Sequence, residues 1–458
     1  MQNNPNTNYN NESITSLKGA DRVRLRPGVI FGSDGLEGCE HAVFEILSNS
    51  IDEAREGFGT KIEVVRYQDH SILVKDHGRG IPVDYNAKEE RYNWELVFCE
   101  LYAGGKYQNN SGENYEFSLG LNGLGTCATQ YASAYMDAII YRDGMRYDLH
   151  FEKGENIGGL MKEKTSQSDT GTQIRWLPDR DVFTDIAIPL SYFQDILRRQ
   201  AIVNAGLTFE LFDEESGETY TYFYENGIRD YLAELTQNTS LTEVHYLQTE
   251  TRGRDREDKP EYKLKFETAF CFNNQINLLE YYHNSSFLEY GGAPDKAVKS
   301  AFVSAIDKYL KNNNLYKKDE KKIVFSDIED SLVLVINSFS TITSYENQTK
   351  KAITNKFIQE AMTDFFREQL EIYFIENKMD ADKIANQVLA NKRSRETAEK
   401  TRVSIRKKLT GSLDMNNRVE KFVNCRTKDI TRRELYIVEG DSALGSCKQG
   451  RDAEFQAI

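Results

Sequence analysis

The sequence predicts an α+β protein in which an antiparallel or mixed sheet is covered by helices on one face. Two stretches of alternating apolar residues, 61–67 and 71–76, predict a hairpin that turns around residues 68–70. A second hairpin is predicted over 136–154, because Asp143-Gly144 is a typical two-residue turn between strands. Apolar residues at helical spacing in 39–57 and 94–103 predict helices. Strands and helices mixed in this way indicate a two-layer first domain.

Four segments are predicted along the chain: a polar tail at 1–20, a first domain at 21–225, a second domain at 226–410 and a short last piece at 430–458. The second domain has strand-like runs at 262–272 and 330–339 and helix-like runs at 294–313, 350–377 and 379–409. The last piece is an apolar strand that runs into an acidic, glycine-containing turn. Because a strand and one turn cannot bury a core, we expect it to be the beginning of a truncated domain.

The composition argues against several functional classes. The 458-residue chain has a formal net charge of −14, and no apolar run approaches the ~20 residues that a membrane span needs. The Asn-rich start, "MQNNPNTNYNNES", lacks the apolar core of a secretory signal, so export is not expected. The six cysteines are scattered without a CxxC pair, which argues against a zinc site and for a reducing cytoplasm.

One segment departs from the acidic character of the chain. The run "NKRSRETAEKTRVSIRKK" at 391–408 carries eight Lys or Arg residues against two Glu. A local basic stripe indicates contact with a polyanion, whereas the alternative is a solvated helix with ordinary charge pairs. The residues alone leave both interpretations open.

The stretch "HAVFEILSNSIDEA" at 41–54 has two distinct sides when it is wound as a helix. Its apolar side carries four residues: Phe44, Leu47, Ile51 and Ala54. Its polar line is formed by His41, Glu45 and Asn49, at i, i+4 and i+8. The stretch is either a plain amphipathic helix or a catalytic one. In the second case Glu45 activates a water, His41 orients or polarises that water, and Asn49 holds a metal ion bound to phosphates.

Two further segments have the composition of ligand-binding turns. In "VKDHGRGIP" a strand ends at Asp76, and glycines follow that permit positive φ and close approach of a ligand. In "SLGLNGLGT" the glycines Gly120, Gly123 and Gly125 are spaced so that backbone N–H groups could surround a polyphosphate. Neither the dinucleotide fingerprint nor the P-loop register fits this run. Each segment alone is equally consistent with an ordinary turn.

Taken in order, these pieces resemble a known ATP-binding fold. A helix with ExxxN, then DxGxG after a strand, then a glycine-rich loop, then "TGT" at 170–172 is similar to the fold shared by gyrase, Hsp90, histidine kinases and MutL. Three more motifs, "RLRPGVIFG", "LYAGGKY" and "YENQTKKAI", resemble those of the B subunits of bacterial type IIA topoisomerases, namely DNA gyrase and topoisomerase IV. The segment "YIVEGDSALGSCKQGRDAEFQAI" resembles the start of that family's Toprim domain.

The resemblance implies an architecture and a set of partners. The two-layer ATPase domain of the gyrase/Hsp90 type would be followed by a βαβ-containing transducer domain with a long C-terminal helix, and then by the start of a Toprim domain. The tail at 1–20 would be a dimerisation arm that places Tyr9 on the nucleotide of the other protomer. ATP, Mg²⁺, double-stranded DNA and a topoisomerase A subunit in an A2B2 assembly are the implied ligands and partners. No membrane partner is implied, and the expected location is the bacterial cytoplasm at the nucleoid.

The resemblance also implies residue roles. Glu45 would be the general base, supported by His41, and Asn49 would bind Mg²⁺. Asp76 would accept the adenine amino group. The base pocket and the phosphate side would be completed by a larger set: Gly80, Ile81, Thr172, Lys106, and the lid formed by Gly120, Leu121, Asn122, Gly123, Leu124, Gly125 and Thr126. Gln348 and Lys350 would reach the γ-phosphate from the second domain. Glu439 would be a first metal ligand of an incomplete Toprim site, and Glu53 a brace for Arg79.

Some positions depart from the family pattern and indicate a divergent paralogue. Ser48 stands where an acidic residue is usual, and Asn122 where a histidine is usual in the lid. The leading prediction is nevertheless an ATP-driven clamp that acts in supercoiling or in decatenation, with ATP-dependent dimerisation of its N-terminal domains. An Hsp90-like chaperone and a MutL-like clamp are the alternatives. The first does not account for "EGDSA", and the second lacks "QTK" combined with a Toprim segment in this form.

Overall fold

A computed structural model describes residues 16–104, 123–166, 168–237, 239–346, 350–411 and 421–458, with side chains described up to Arg406 in the fifth range. The chain forms two compact units, Met1–Leu389 and Ala390–Ile458. Within the described ranges, no helix is both long and apolar enough to cross a membrane.

The first part of the chain forms an eight-stranded mixed sheet with helices. Its helices are α1 (Asp21–Arg24), α2 (Pro27–Phe31), α3 (Leu36–Arg55), α4 (Asn93–Cys99), α5 (Gly125–Tyr131) and α6 (Leu190–Val203). Its strands are β1 (Lys61–Arg66), β2 (Ile72–Asp76), β3 (Tyr85–Asn86), β4 (Arg91–Tyr92), β5 (Ser133–Arg142), β6 (Met145–Glu152), β7 (Glu155–Lys164), β8 (Gly171–Pro178), β9 (Thr208–Asp213) and β10 (Glu218–Tyr222). The sheet order is β10-β9-β1-β2-β8-β5-β6-β7, and β3 pairs with β4 separately.

Both predicted hairpins are present. β1 pairs with β2 antiparallel, and β5 pairs with β6 through a turn in which Asp143 and Gly144 have φ of 53° and 68°. Two consecutive residues with positive φ match the right-handed twist of the flanking strands, which explains the Asp-Gly pair. The parallel pairing of β1 with β9 makes the sheet mixed rather than purely antiparallel.

Helix α3 is the long helix expected over 41–54, but its buried face differs from the predicted one. Leu47 and Ile51 are fully buried, as expected. Phe44 and Ala54 are only partly buried, and Val43 and Ile46 join the core instead. The apolar stripe is therefore wider and rotated relative to the prediction. Helix α4 is shorter than the predicted 94–103, because the backbone at Glu100 is extended.

The second part of the chain adds a five-stranded sheet and long helices. Its elements are α7 (Ile228–Thr236), β11 (His245–Gly253), β12 (Tyr262–Phe272), β13 (Leu278–His283), β14 (Ser286–Phe287), α8 (Ala293–Asn312), α9 (Phe325–Glu329), β15 (Leu332–Ser340), α10 (Lys356–Glu376) and α11 (Lys378–Gly411). The sheet order is β11-β12-β15-β13-β14, with β13 and β15 parallel. Helix α10 begins later than predicted, because Ile353 makes β-bridges with Gly292 and Tyr345.

The five-stranded sheet has an apolar core on each face, as strand alternation requires. On one face Phe270 and Leu334 pack with α8 and α10. On the other, Cys271 and Val335 pack with residues of α6 and α7, including Ile202. Because α6 packs against β9 and β10 of the eight-stranded sheet and Val335 lies in β15, this second core holds the two sheets together.

The second unit continues from α11, whose first part belongs to the first unit. Its elements after residue 420 are a 3₁₀ turn (Ile430–Arg432), β16 (Glu434–Leu435), α12 (Asp441–Gly450) and β17 (Gln456–Ala457). The predicted apolar strand is therefore only two residues long, and it pairs with β17 in parallel.

Candidate functional site

A cavity of about 390 Å³ lies between α3 and the eight-stranded sheet, and its lining also includes Lys350. Its apolar walls are formed by Ile30, Phe31, Ile46, Val74, Ile81, Pro82, Val97 and Ile174. The polar lining comes mainly from α3, from the end of β2, from the start of β8 and from the first residues of α5. Apolar walls with a few placed polar groups are typical of a small-molecule site.

The polar line predicted on α3 faces this cavity. His41 Nε2 lies 3.2 Å from Glu45 Oε1, one helical turn away. The Asn49 side-chain amide donates to Thr126 Oγ1 at 3.0 Å and to the Glu45 carbonyl oxygen at 3.3 Å. All three side chains line the cavity. The helix thus has both predicted characters, because its apolar side is buried in the core and its polar line faces a ligand-sized space.

Lys350 meets Glu45 across this space. Its Nζ donates to Glu45 Oε1 at 3.5 Å, although the two residues are 305 positions apart in the chain. Both side chains are largely buried, with exposed fractions of 9% for Lys350 and 12% for Glu45. Among the described residues, the cavity is therefore bounded by the first part of the chain and by Lys350 of the second part.

Burial and counter-charge act in opposite directions on Glu45. Burial alone raises the pKa of this carboxyl, but the Lys350 charge and the hydrogen bond from His41 outweigh burial and lower the pKa to about 2. For Lys350, burial lowers the pKa, and the Glu45 charge more than offsets that effect, so the pKa rises overall. Glu45 is therefore an ionised carboxylate at neutral pH.

Gly125 allows the chain at α5 to approach Glu45 closely. A Cβ atom added at Gly125 would lie 2.3 Å from Glu45 Oε2 and 3.0 Å from Glu45 Cβ, so the Glu45 side chain would have to move. Gly123, Leu124 and Thr126 line the cavity with it, so the described part of the predicted lid borders the Glu45 side of the site.

Asp76 forms the polar floor at the other end of the cavity. Its Oδ1 accepts hydrogen bonds from the backbone N–H groups of Gly78 at 2.9 Å and Thr172 at 3.1 Å, and its Oδ2 accepts from Ser50 Oγ at 2.9 Å. Burial raises the pKa of Asp76 in spite of these donors. The Thr172 hydroxyl accepts from the Ile81 backbone N–H at 3.2 Å. A buried carboxyl group among flat apolar walls suits a heterocycle that presents an amino group.

Gly80 supports this floor through its backbone. It has φ of 78°, and a Cβ atom there would lie 2.6 Å from the Tyr141 carbonyl oxygen. The Gly80 carbonyl oxygen accepts from Arg142 Nη1 at 2.8 Å. Only glycine fits this conformation and this contact without strain.

The remaining polar residues of α3 have structural contacts. Glu53 holds Arg79 by two hydrogen bonds of 3.0 Å each, from Nε and Nη2, and so braces the turn after β2 as predicted. Ser48 is buried and donates to the Phe44 carbonyl oxygen one turn back at 2.5 Å. The unusual serine is therefore satisfied within the helix and lies outside the cavity lining.

Six predicted site residues fall outside the described residues: Tyr9, Lys106, Gly120, Leu121, Asn122 and Gln348. Glu439, predicted as a ligand of a separate Toprim site, is exposed in the second unit. Within the part of the chain that the structure describes, no three His, Cys, Asp or Glu side chains cluster as a metal site.

Two pocket residues were missed by reasoning from the sequence. Ser50 donates to Asp76, and Arg142 fixes Gly80, yet neither residue belongs to a motif. Ser50 had a weak signal, since it is a polar residue on the side of α3 next to Asn49. No signal in the sequence indicated Arg142, because its role depends on the pairing of β5 with β8, which brings Tyr141 opposite Gly171.

The chain is similar in sequence to DNA gyrase B proteins of several bacteria. A family model described as DNA gyrase B matches residues 227–404. The chain is 34% identical over 464 residues to the DNA gyrase B protein of Spiroplasma citri, across 98% of this chain and 70% of that protein. The DNA gyrase B protein of Thermotoga maritima is 33% identical, with coverage of 98% and 70%. That of Chlamydia muridarum is 35% identical, and the chain spans 56% of its length.

Solved structures share the fold. The 43K ATPase domain of Thermus thermophilus gyrase B, in complex with an aminocoumarin, matches 84% of this chain and 98% of its own, with a TM-score of 0.63 and 26% identity. The topoisomerase IV ATP-binding domain of Francisella tularensis matches 83% of this chain and 98% of its own, with a TM-score of 0.63 and 27% identity. These matches confirm the α+β fold class and the predicted resemblance.

Replacing Glu45 by Gln should destabilise the protein at neutral pH, and the difference from wild type should shrink in acid. The pKa of Glu45 is lowered from 4.5 to about 2, so the stability that its pairing contributes is complete above pH 4.5 and is lost as the pH falls toward 2. Its size is at most roughly 3 kcal/mol. The measurement is the difference in unfolding free energy between the two proteins from about pH 7 to about pH 3.

Glu225→Gln is the matched control, because Glu225 is exposed. That change should stay within ~0.5 kcal/mol of wild type at every pH. A Glu45→Gln difference that remains constant across the acid range would contradict the pairing with Lys350.

Proposed function

The chain belongs to the DNA gyrase B family, and from this premise we propose that it hydrolyses ATP as the B subunit of a type IIA DNA topoisomerase. The observation that carries the proposal is the cavity in which Glu45 faces Lys350 at one end and Asp76 forms the floor at the other. This arrangement supplies a base, a cation for phosphate and an acceptor for adenine in one space.

The nucleotide would lie along the cavity with its adenine over Asp76. The amino group of adenine would donate to the Asp76 carboxyl group, and the ring would pack between the apolar walls formed by residues such as Val74 and Ile174. The triphosphate would extend toward Gly123–Thr126 and Lys350. Fixing both ends of the nucleotide in this way orients the γ-phosphate beside Glu45.

Glu45 would act as the general base in hydrolysis. As an ionised carboxylate it can accept a proton from the water that attacks the γ-phosphate, and His41 at 3.2 Å holds the carboxylate in place. Lys350 would turn from Glu45 to the γ-phosphate, where its charge stabilises the negative charge of the transition state. Loss of phosphate would remove that partner from Lys350, which couples hydrolysis to the second domain.

The residues around Glu45 fit a Mg²⁺ ion that is carried by the nucleotide. Mg²⁺ prefers hard oxygen ligands and is usually held by one or two protein groups together with phosphates and waters. The Asn49 side chain, whose amide nitrogen donates to Thr126 and to the Glu45 backbone, would bind it through its amide oxygen. When bound, the ion would neutralise phosphate charge.

The larger assembly is proposed from the family. ATP binding would dimerise the N-terminal domains, with the arm at 1–20 and Tyr9 reaching the nucleotide of the second protomer. Strand passage through double-stranded DNA would require an A subunit in an A2B2 complex, acting at the nucleoid in the bacterial cytoplasm. The basic run at 391–408 would contact DNA; Arg402 and Arg406 are exposed on α11 within it.

Glu45→Gln should abolish turnover while leaving nucleotide binding within a few-fold of wild type. The amide keeps the shape of the side chain but cannot take a proton, and the loss of one general base costs roughly 10²–10⁴-fold in kcat. ATP hydrolysis and the binding of a non-hydrolysable analogue are measured separately. Glu37→Gln, an exposed change on the same helix, is the control. Wild-type kcat in the Glu45 variant would refute the assigned base.

Asp76→Asn should lose nucleotide binding without unfolding the protein. The new amide must place its oxygen where Oδ1 now accepts two backbone N–H groups, so its NH2 group takes the Oδ2 position. A donor would then face the adenine amino group, which costs roughly 10- to 100-fold in affinity. Binding is measured by calorimetry, with Ser50→Ala as the control that keeps the carboxylate. Equal nucleotide affinity in the Asn variant and in wild type would mean that the adenine ring does not bind at Asp76.

Reversing charge at the basic run should reduce the stimulation of ATPase by DNA. Arg402→Glu with Arg406→Glu replaces two phosphate-pairing groups by repelling ones, and the effect should weaken at high salt. The control is Lys317→Glu with Lys318→Glu, which reverses two exposed charges outside the run. Stimulation is measured with linear duplex DNA. Undiminished stimulation in the arginine variant would exclude this run, and client-protein binding without any DNA effect would favour a chaperone.

A further inference from the structure

A buried polar cluster lies at the end of β13, beneath the segment that carries Lys350. Its centre is His283, which is fully buried. The cluster is completed by Asn284, Ser338, Ser340 and Thr343. Its members come from the ends of β13 and β15 and from the residues that follow these strands. We call this set the His283 cluster.

The two ring nitrogens of His283 face different parts of the chain. Nδ1 lies 2.8 Å from Ser338 Oγ, which belongs to β15. Nε2 lies 2.9 Å from Thr343 Oγ1 and 3.0 Å from Ser340 Oγ. Nδ1 therefore contacts strand β15 itself, whereas Nε2 contacts Ser340 at the end of β15 and Thr343, which follows it.

The hydrogens of the neighbouring hydroxyls decide the tautomer of His283. Ser338 Oγ donates its hydrogen to the Tyr282 carbonyl oxygen at 2.9 Å, so it accepts from Nδ1–H. Ser340 Oγ donates to the Ile342 carbonyl oxygen at 2.9 Å. Nε2 therefore carries no hydrogen and is an acceptor, and Thr343 Oγ1, 2.9 Å from Nε2 and 2.9 Å from Ser340 Oγ, is the nearer of the two hydroxyls that can donate to it. This assignment requires a neutral imidazole.

The imidazole is neutral at any working pH. Burial, reinforced by the nearby Arg55 charge, lowers the pKa of His283 to about 3. At physiological pH Nε2 therefore stays an acceptor to which the Thr343 hydroxyl can donate.

The segment held by Thr343 is the one that carries Lys350. After Thr343 the described residues 344–346 and 350–354, which we call the excursion, pair with each other: Glu346 N–H donates to the Ala352 carbonyl oxygen at 3.0 Å, and Thr354 N–H donates to the Ser344 carbonyl oxygen at 2.9 Å. Lys350 lies in this excursion with φ of 58°. Because the excursion begins at Thr343, a fixed position of Thr343 also fixes the direction in which the excursion, and Lys350 within it, extends.

The cluster is also tied to the first domain. Ser285 follows Asn284 directly; its hydroxyl donates to Asn204 Oδ1 at 3.2 Å, and its carbonyl oxygen accepts from Gln200 Nε2 at 2.9 Å. Asn204 and Gln200 lie at the end of α6, beside the eight-stranded sheet. These hydrogen bonds therefore connect the base of the excursion to the domain that contains Glu45.

We propose that His283 is a positioning residue, which through its Nε2 bond to Thr343 holds Lys350 in register with Glu45 and the γ-phosphate. The inference rests on the proposed ATPase function. His283 would touch neither nucleotide nor water, and its effect on turnover would pass through the excursion. The competing interpretation is that His283 only joins β13 to β15, which its Nδ1 bond to Ser338 would explain.

Substitutions can separate the two nitrogens. Asn places its amide where Nδ1 lies and keeps the bond to Ser338, whereas Gln reaches the Nε2 position and keeps the bond to Thr343. Thr343→Val removes the hydroxyl without changing the volume near the ring. Thr268→Val is the matched control, because Thr268 is a buried hydroxyl of the same sheet that donates to the Val335 carbonyl oxygen at 3.1 Å.

The experiment measures kcat and KM for ATP, together with melting temperature, on the full chain. We expect Thr343→Val and His283→Asn to lower kcat roughly 10- to 100-fold, since small misplacement of a reacting group has effects of that size. KM should change less than about 3-fold in both. His283→Gln and Thr268→Val should retain kcat within about 3-fold of wild type. Should His283→Asn fail to fold, Thr343→Val decides alone.

Two results would overturn the inference while leaving the ATPase assignment in place: wild-type kcat in Thr343→Val, or a fall in kcat for His283→Gln with kcat retained in His283→Asn. The second result would assign the bond to Ser338, and hence strand joining, as the essential one. A wild-type chain without turnover that depends on Glu45 would instead remove the proposed function and this inference with it.

Discussion

The structure depends on the requirement that a carboxylate buried at the bottom of a cavity have a counter-charge. Glu45 projects from a helix whose opposite side is packed in the core, so it cannot move out to water. Removing one partner from a buried ion pair typically costs roughly 3–5 kcal/mol. The Lys350 charge, supplied from 305 residues away, therefore constrains how the second sheet and the segment after β15 are placed against the first domain.

The two carboxylates of the cavity have opposite environments. Glu45 faces a lysine and has its pKa lowered to about 2, whereas Asp76 accepts hydrogen bonds from backbone and hydroxyl donors, and burial raises its pKa. Environments that separate two carboxyl groups in this way assign them different tasks. The one beside a cation is suited to chemistry on a charged group, and the one in apolar surroundings is suited to holding a neutral heterocycle.

Local patterns in the sequence predicted the elements that local forces determine. The alternation in 61–76, the turn at Asp143-Gly144 and the polar line of α3 each depend on residues close together in the chain. The buried face of α3 was not predicted, since the choice of Val43 and Ile46 as core residues depends on what packs above the helix. The contacts of Ser50 and Arg142 were missed for the same reason, because their partners are set by strand pairing and not by spacing. Lys350 was predicted to reach the site from the family resemblance and not from sequence periodicity.

The pairing of Glu45 with Lys350 also bears on when Glu45, the proposed general base, would become effective. A carboxylate with a pKa of about 2 is a weak acceptor for the proton of water, and it stays weak while Lys350 is beside it. An anion of higher charge that enters the cavity competes for Lys350, and the loss of that neighbouring cation raises the pKa of Glu45. The base would therefore gain strength only when phosphate is present to be attacked. The same ion pair that stabilises the fold would then limit the reactivity of Glu45 until substrate arrives, which would make the position of Lys350, and of the residues that hold its segment, a determinant of rate as well as of stability.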